Sequence, residues 1–234
     1  MMDMTLNQPV HKNLMFQILK DIYSDLSIAS FLGFKGGTAA FMFYDLGRFS
    51  VDLDFDLLDE TQEELVFLKI KQIVGGYGKL KDARKKRFNL FFLLSHDDDS
   101  QNIKVEINRR SSKSKFGLKT FLGVSMLVMD QDDMFAHKLV AMNERIGKTN
   151  RDIFDVWYFL KNNWPLNRKL IEERTGLSFK KFVVDCIDKL DKISNQSILS
   201  GLGELLDNKQ KTWVKAKLKS DTLFLLRIML ESEK

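Results

Sequence analysis

Apolar residues recur at three- and four-residue steps between Thr5 and Ser30, at Leu14, Ile18, Leu19, Ile22, Leu26 and Ala29. That spacing predicts an amphipathic N-terminal helix. A short apolar run, Phe31 to Phe34, gives way to Lys35-Gly36-Gly37-Thr38 and then to Ala39 to Leu46. The order reads as strand, tight turn and helix, with the glycines where the chain must turn sharply. From Val51 to Leu58 the alternation is strict: Val51, Leu53, Phe55 and Leu57 fall on one face of a strand, Asp52, Asp54 and Asp56 on the other. A helix is expected over Thr61 to Val74, strands over Lys79 to Arg87 and Phe88 to Ser95, and a polar turn over His96 to Ser100. Ile103, Val105 and Ile107 then interleave with Lys104, Glu106 and Asn108 as a second half-buried strand.

After one more apolar run near Phe121 to Val128 the period becomes helical and stays so. Helices are expected over Asp130 to Ile146, Arg151 to Asn162, Phe179 to Ile193 and Thr222 to Glu231. The predicted architecture is α+β. Residues 1–129 form a mixed sheet flanked by helices, the N-terminal helix included, and residues 130–234 form a helical domain.

Composition adjusts this picture only slightly. A chain of 234 residues, 44% hydrophobic and 29% charged, suits a soluble globular protein of one large or two small domains. Two prolines and 13 glycines leave room for long helices. The single cysteine, Cys186, forms no internal disulfide, and no secretory leader opens the sequence, so a cytoplasmic setting is expected. The most apolar stretches, Phe121 to Met129 and Leu223 to Leu230, fall short of the ~20 residues of a membrane span. The net charge of +5, with basic bunches at Lys79 to Arg87 and Lys209 to Lys219, permits a polyanionic partner; solvated faces are the plainer explanation.

The acidic strand carries the chemistry. Side chains two apart on a strand lie about 7 Å from one another. Two carboxylates at 4 Å would repel by about 4 kcal/mol near a protein surface. A divalent cation reverses that sign, and magnesium prefers such oxygen ligands together with substrate phosphates. An acidic edge strand that discourages aggregation would show the same local pattern. Glu106, on the polar face of the second alternating strand, supplies a third acid, and three acids on neighbouring strands would suit two metal ions. Gly36, Gly37 and Thr38, where a helix begins, would offer backbone N–H groups to phosphate.

Gly36-Gly37-Thr38 followed by Arg48-Phe49-Ser50-Val51-Asp52-Leu53-Asp54 resembles the signature of the nucleotidyltransferase superfamily with a polymerase-β-like palm. Within it the chain is most similar to the AbiEii/AbiGii toxin family, whose helical Lys-Leu-x-Ala, nearby Arg and Arg-Asp-x-x-Asp reappear as Lys138-Leu139-Val140-Ala141, Arg145 and Arg151-Asp152-Ile153-Phe154-Asp155. The resemblance spans about residues 31 to 160. Glu106 stands where an aspartate is common, and Thr38 where serine is.

The resemblance implies a toxin of a bacterial toxin–antitoxin pair of the abortive-infection type, with an antitoxin encoded nearby. It implies transfer of a nucleoside monophosphate from a nucleoside triphosphate to a hydroxyl; some relatives act on the 3′ end of tRNA. Asp52, Asp54 and Glu106 would hold magnesium, two ions by expectation. Lys138 and Asp152 would join them in catalysis. Gly36, Gly37, Thr38, Arg48, Ser50, Arg145 and Arg151 would bind nucleotide phosphates. The alternative for the cations is a salt-bridge set with Asp152 and Asp155. His11, His96, His137 and Cys186 lack metal-ligand spacing and read as structural. Two other functions remain open: transfer to a small hydroxylated acceptor, as in aminoglycoside nucleotidyltransferases, and an inactive domain that serves as a binding module.

Overall fold

The computed structural model describes residues 7–96, 101–110 and 113–232. Thr5 and residues 97–100 of the expected polar turn lie outside them. The chain divides into two compact units, Met1–Asp45 with Phe49–Met129, and Leu46–Arg48 with Asp130–Lys234.

The first unit is built on a seven-stranded mixed sheet: β1 (Leu32–Lys35), β2 (Asp52–Leu57), β3 (Lys79–Lys85), β4 (Asn89–Ser95), β5 (Ile103–Asn108), β6 (Phe116–Phe121) and β7 (Val124–Met129), in the order β3-β4-β5-β2-β1-β7-β6. Alternation sorts its two faces. Leu53, Phe55, Leu90, Phe92, Val105 and Ile107 are buried on one, where Phe92 meets Phe67 of α3 (Glu63–Gly75) at 5.2 Å. Asp52, Asp54, Lys104 and Glu106 stand half-buried on the other.

Helix α1 (Gln8–Ser24) is shorter than its apolar period suggested. Asn7 caps it, its side chain accepting from the Val10 N–H at 3.4 Å, and Asp25 takes up an extended backbone that ends it. Met15, Ile18, Leu19 and Ile22 are fully buried. Helix α2 (Gly36–Phe43) starts earlier than expected, because Gly36 and Gly37 form its first turn and not a connection before it. One strand escaped prediction. β6 pairs with β7 as a hairpin around Leu122 and Gly123, whose φ values of 48° and 81° fit the two-residue turns that match strand twist.

The second unit is helical: α4 (Gln131–Arg145), α5 (Arg151–Lys161), α6 (Arg168–Thr175), α7 (Phe179–Asp191), α8 (Asn208–Trp213) and α9 (Lys219–Glu231). α6 and α8 were not expected. Asn167 caps α6 and Gly176, at φ 69°, closes it, while Asp207 and Gln210 form a reciprocal capping box on α8. Its core gathers Phe135, Leu139, Val156, Phe159, Ile171, Phe182 and Leu226, with Trp164 stacked on Phe159 at 3.9 Å.

Candidate active site

β2 lies between β1 and β5, parallel to β5, and the register sets Asp54 beside Glu106 and Asp52 beside Lys104. Partners in register point to the same face, so Asp54 and Glu106 stand side by side, about 4.8 Å apart along the hydrogen-bonding direction. Asp52 is one pleat step away. Lys104 Nζ lies 3.2 Å from Asp52 Oδ2. Burial alone would pull the Lys104 pKa down, but Asp52, Glu106 and Asp54 together push it above the ordinary lysine value. The sheet thus focuses three carboxylates on one ammonium group. Among the described residues, no three His, Cys, Asp or Glu side chains are gathered closely enough to hold an ion as they stand.

Asp56, the third aspartate of β2, behaves differently. Although it alternates with the apolar positions, it is 1% exposed. Lys35 pairs with it, and the Asn108 side-chain amide donates to it at 2.7 Å. A paired, hydrogen-bonded carboxylate of this kind is structural in character. It also holds Lys35, whose Cα is the register partner of Asp54.

The glycine turn reaches the same acids. Gly36 has φ 82°, and a Cβ placed there would come within 2.7 Å of Asp54 Oδ2. Only glycine lets the start of α2 and the Asp54 carboxylate share this space. Thr38 is buried; its hydroxyl bonds the Asp52 carbonyl and lies 2.9 Å from Ser50 Oγ. Thr38 and Ser50 therefore fix the entrance of β2 through hydrogen bonds inside the protein. Upstream, His11 Nε2 lies 3.0 Å from the Val51 carbonyl, and burial pulls the His11 pKa below its ordinary value.

The remaining predicted residues belong to the second unit. Arg48 is 2% exposed and grips Asp155 with two bonds of 2.6 and 2.7 Å. Lys138 lies 3.1 Å from Asp152 and 2.7 Å from Asp155, and Arg145 lies 2.7 Å from Asp152. Both aspartates are fully buried. Burial would raise the Asp155 pKa, yet the Arg48 and Lys138 charges override it and hold the carboxyl below the usual range. The salt-bridge alternative weighed for these cations is therefore present as a ladder, Arg48–Asp155–Lys138–Asp152–Arg145. The buried position and double bond of Arg48 make it a counter-charge to Asp155 within the helical unit. Arg145, 39% exposed in its side chain, keeps donors at the surface. Arg151 opens α5 and is half-buried.

Sequence reasoning missed Lys35 and Lys104. Each is a lysine on a strand rich in apolar residues, facing an acid two or fewer strands away, and that placement was the available signal.

Two solved structures, both from Helicobacter pylori, share the fold. JHP933 superposes with a TM-score of 0.60 at 21% identity, covering 98% of this chain and 96% of its own. A protein described as a candidate nucleotidyltransferase gives 0.61, also at 21% identity, with 97% of each chain covered. No curated protein matches in sequence. The family described as nucleotidyl transferase AbiEii toxin, type IV TA system, matches residues 17–213, which takes in the acidic strands, the glycine turn and the buried charge ladder. The chain belongs to the AbiEii nucleotidyltransferase toxin family of type IV toxin–antitoxin systems.

Proposed function

We propose that this nucleotidyltransferase moves a nucleoside monophosphate from a nucleoside triphosphate onto an RNA 3′ hydroxyl, with tRNA as the favoured acceptor, and that Asp52, Asp54 and Glu106 hold the divalent cation it uses. The observation that carries the reading is the register that sets Asp54 beside Glu106, with Asp52 two residues along the same strand face and Gly36 pressed against Asp54.

The residues fit magnesium. All three donors are hard carboxylate oxygens, and the focus of their field already holds a positive charge in Lys104. When bound, the metal would supply charge neutralisation for the phosphates and a lower pKa for the attacking hydroxyl. The protein's own part is positional. Free N–H groups in the first turn of α2 suit a phosphate. Thr38 and Ser50 hold the start of β2, and with it Asp52, in place. Within the helical unit Asp152 orients Lys138 and Arg145, and a part for these cations in holding phosphate is what the family resemblance implies. Phosphoryl transfer asks for little beyond such placement and charge.

The test is incubation with magnesium, each α-labelled nucleoside triphosphate in turn and total tRNA, beside the Asp52→Ala variant. Label should move to RNA with the unaltered protein only. Label moving instead to an added aminoglycoside, or equal labelling by Asp52→Ala, would overturn the reading.

A further inference from the structure

The face of the sheet that carries the acids continues outward from them. In register, Asp54 of β2 stands beside Glu106 of β5, Glu106 beside Phe91 of β4, and Phe91 beside Arg84 of β3. Phe91 is therefore two strands from Asp54, about 10 Å, on the same face. It is half-buried, with Asn89 and Leu93 on either side of it along β4 on the same face. The Lys86 ammonium sits 3.3 Å from its centroid.

Just beyond, the connection between β3 and β4 presents Phe88, 47% exposed. The Arg87 guanidinium lies 4.9 Å from the Phe88 ring and that of Arg110 5.2 Å. Other cations in this region are answered by carboxylates: Arg84 by Asp82, Lys85 by Glu63 and Glu64, Arg109 by Glu63. Lys86, Arg87 and Arg110 instead lean on aromatic rings. The connection is also braced. Arg109 donates its backbone N–H to the Phe88 carbonyl at 2.9 Å and its guanidinium to the Lys86 carbonyl at 2.8 Å.

Exposed rings flanked by cations on a braced backbone are the means by which proteins hold single-stranded nucleic acid: bases stack on the rings and phosphates meet the charges. We infer that the β3–β5 end of the sheet, from Phe91 on the acid-bearing face to Phe88 in the β3–β4 connection, seats a single-stranded RNA end. Bases rest on the two rings, and Lys86, Arg87 and Arg110 take the phosphates. The inference rests on the RNA-acceptor reading and gives it a location.

Binding of a short fluorescein-labelled single-stranded RNA, followed by anisotropy across a salt series without nucleotide or metal, tests the seat separately from transfer. Charge reversal at Lys86, Arg87 and Arg110 should weaken binding and reduce the slope of log K against log salt by about 2, at about 0.7 per phosphate contact. Phe88→Ala should weaken it about tenfold or more with the slope kept. Reversal at Lys209, Lys215 and Lys217, exposed cations of the helical unit, makes the same change in net charge and should leave affinity within about twofold of the unaltered protein. Equal losses from both triple variants would reduce the effect to net charge and overturn the seat. Unchanged RNA affinity in the first triple would overturn it as well, leaving an acidic protein surface as the occupant. RNA bound through this face by a protein that never transfers label would sink the transferase reading and spare the seat.

Discussion

Replacing Asp155 with Asn should be among the most destabilising single changes available to this chain. The carboxylate is fully buried and receives two bonds from Arg48 and one contact from Lys138. An amide of the same shape keeps the packing but takes away the carboxylate charge that faces the Arg48 guanidinium, 2% exposed. Breaking a buried pair in this way costs about 3–5 kcal/mol. Lys138 retains Asp152, which places the expectation toward the lower half of that range. At roughly 2–4 °C per kcal/mol for a chain of this size, the melting temperature should fall by about 6–16 °C. All three tryptophans, Trp157, Trp164 and Trp213, lie in the helical unit, so intrinsic fluorescence in urea reports on the unit concerned. The double variant Arg48→Met, Asp155→Leu removes both charges and should recover most of the loss. The pH dependence has a definite sign. The folded pKa of Asp155 is depressed, so its contribution is complete above the ordinary carboxylate value of about 3.8 and fades as pH falls below it; Asp155→Asn should flatten that limb. A loss under about 1 kcal/mol, or a double variant no better than Asp155→Asn alone, would refute the reasoning.

Other outcomes follow from the site. Asp54→Asn should abolish label transfer while changing apo stability by less than about 1 kcal/mol; magnesium or manganese should raise the melting temperature of the unaltered protein and not that of this variant, and an equal rise in both would place the metal elsewhere. Gly36→Ala forces a side chain to φ 82° and toward Asp54, so about 1–2 kcal/mol of stability should go, with a larger proportional fall in transfer; normal activity would dissociate the glycine from the acids. The Cys186 thiol, buried and pushed up to about 12, should resist a thiol reagent at pH 8 until urea unfolds the chain, whereas prompt labelling of native protein would contradict its burial.

Strict alternation made β2 and β5 legible because each has one face in the core and one outside it. The same rule failed for β6, where Gly117 breaks the pattern and Leu118 is 71% exposed on an edge strand. Helices α6 and α8 were hidden by shortness and polarity; α6 buries only Leu170 and Ile171. The residue types of the acids and cations could be read directly, but their partners could not. That Asp54 would face Glu106 depends on β5 entering the sheet parallel to β2, and local sequence carries no record of strand order. Nor did anything local separate Asp56, which is held by Lys35 and Asn108, from Asp52 and Asp54 on the same strand.

The small segment Leu46–Arg48, enclosed in the chain of the sheet unit yet part of the helical one, bears on how the protein is made. Arg48 and Asp155 are 107 positions apart in sequence. At about 5–20 residues per second, Arg48 leaves the ribosome some 5–20 s before its counter-charge exists. Through that interval the segment leading into the acidic strand lacks its final anchor, and a nascent chain interrupted before α5 never acquires one. Expressed alone, residues 130–234 would begin with the converse defect, an Asp155 waiting for a guanidinium on a piece of chain that was cut away.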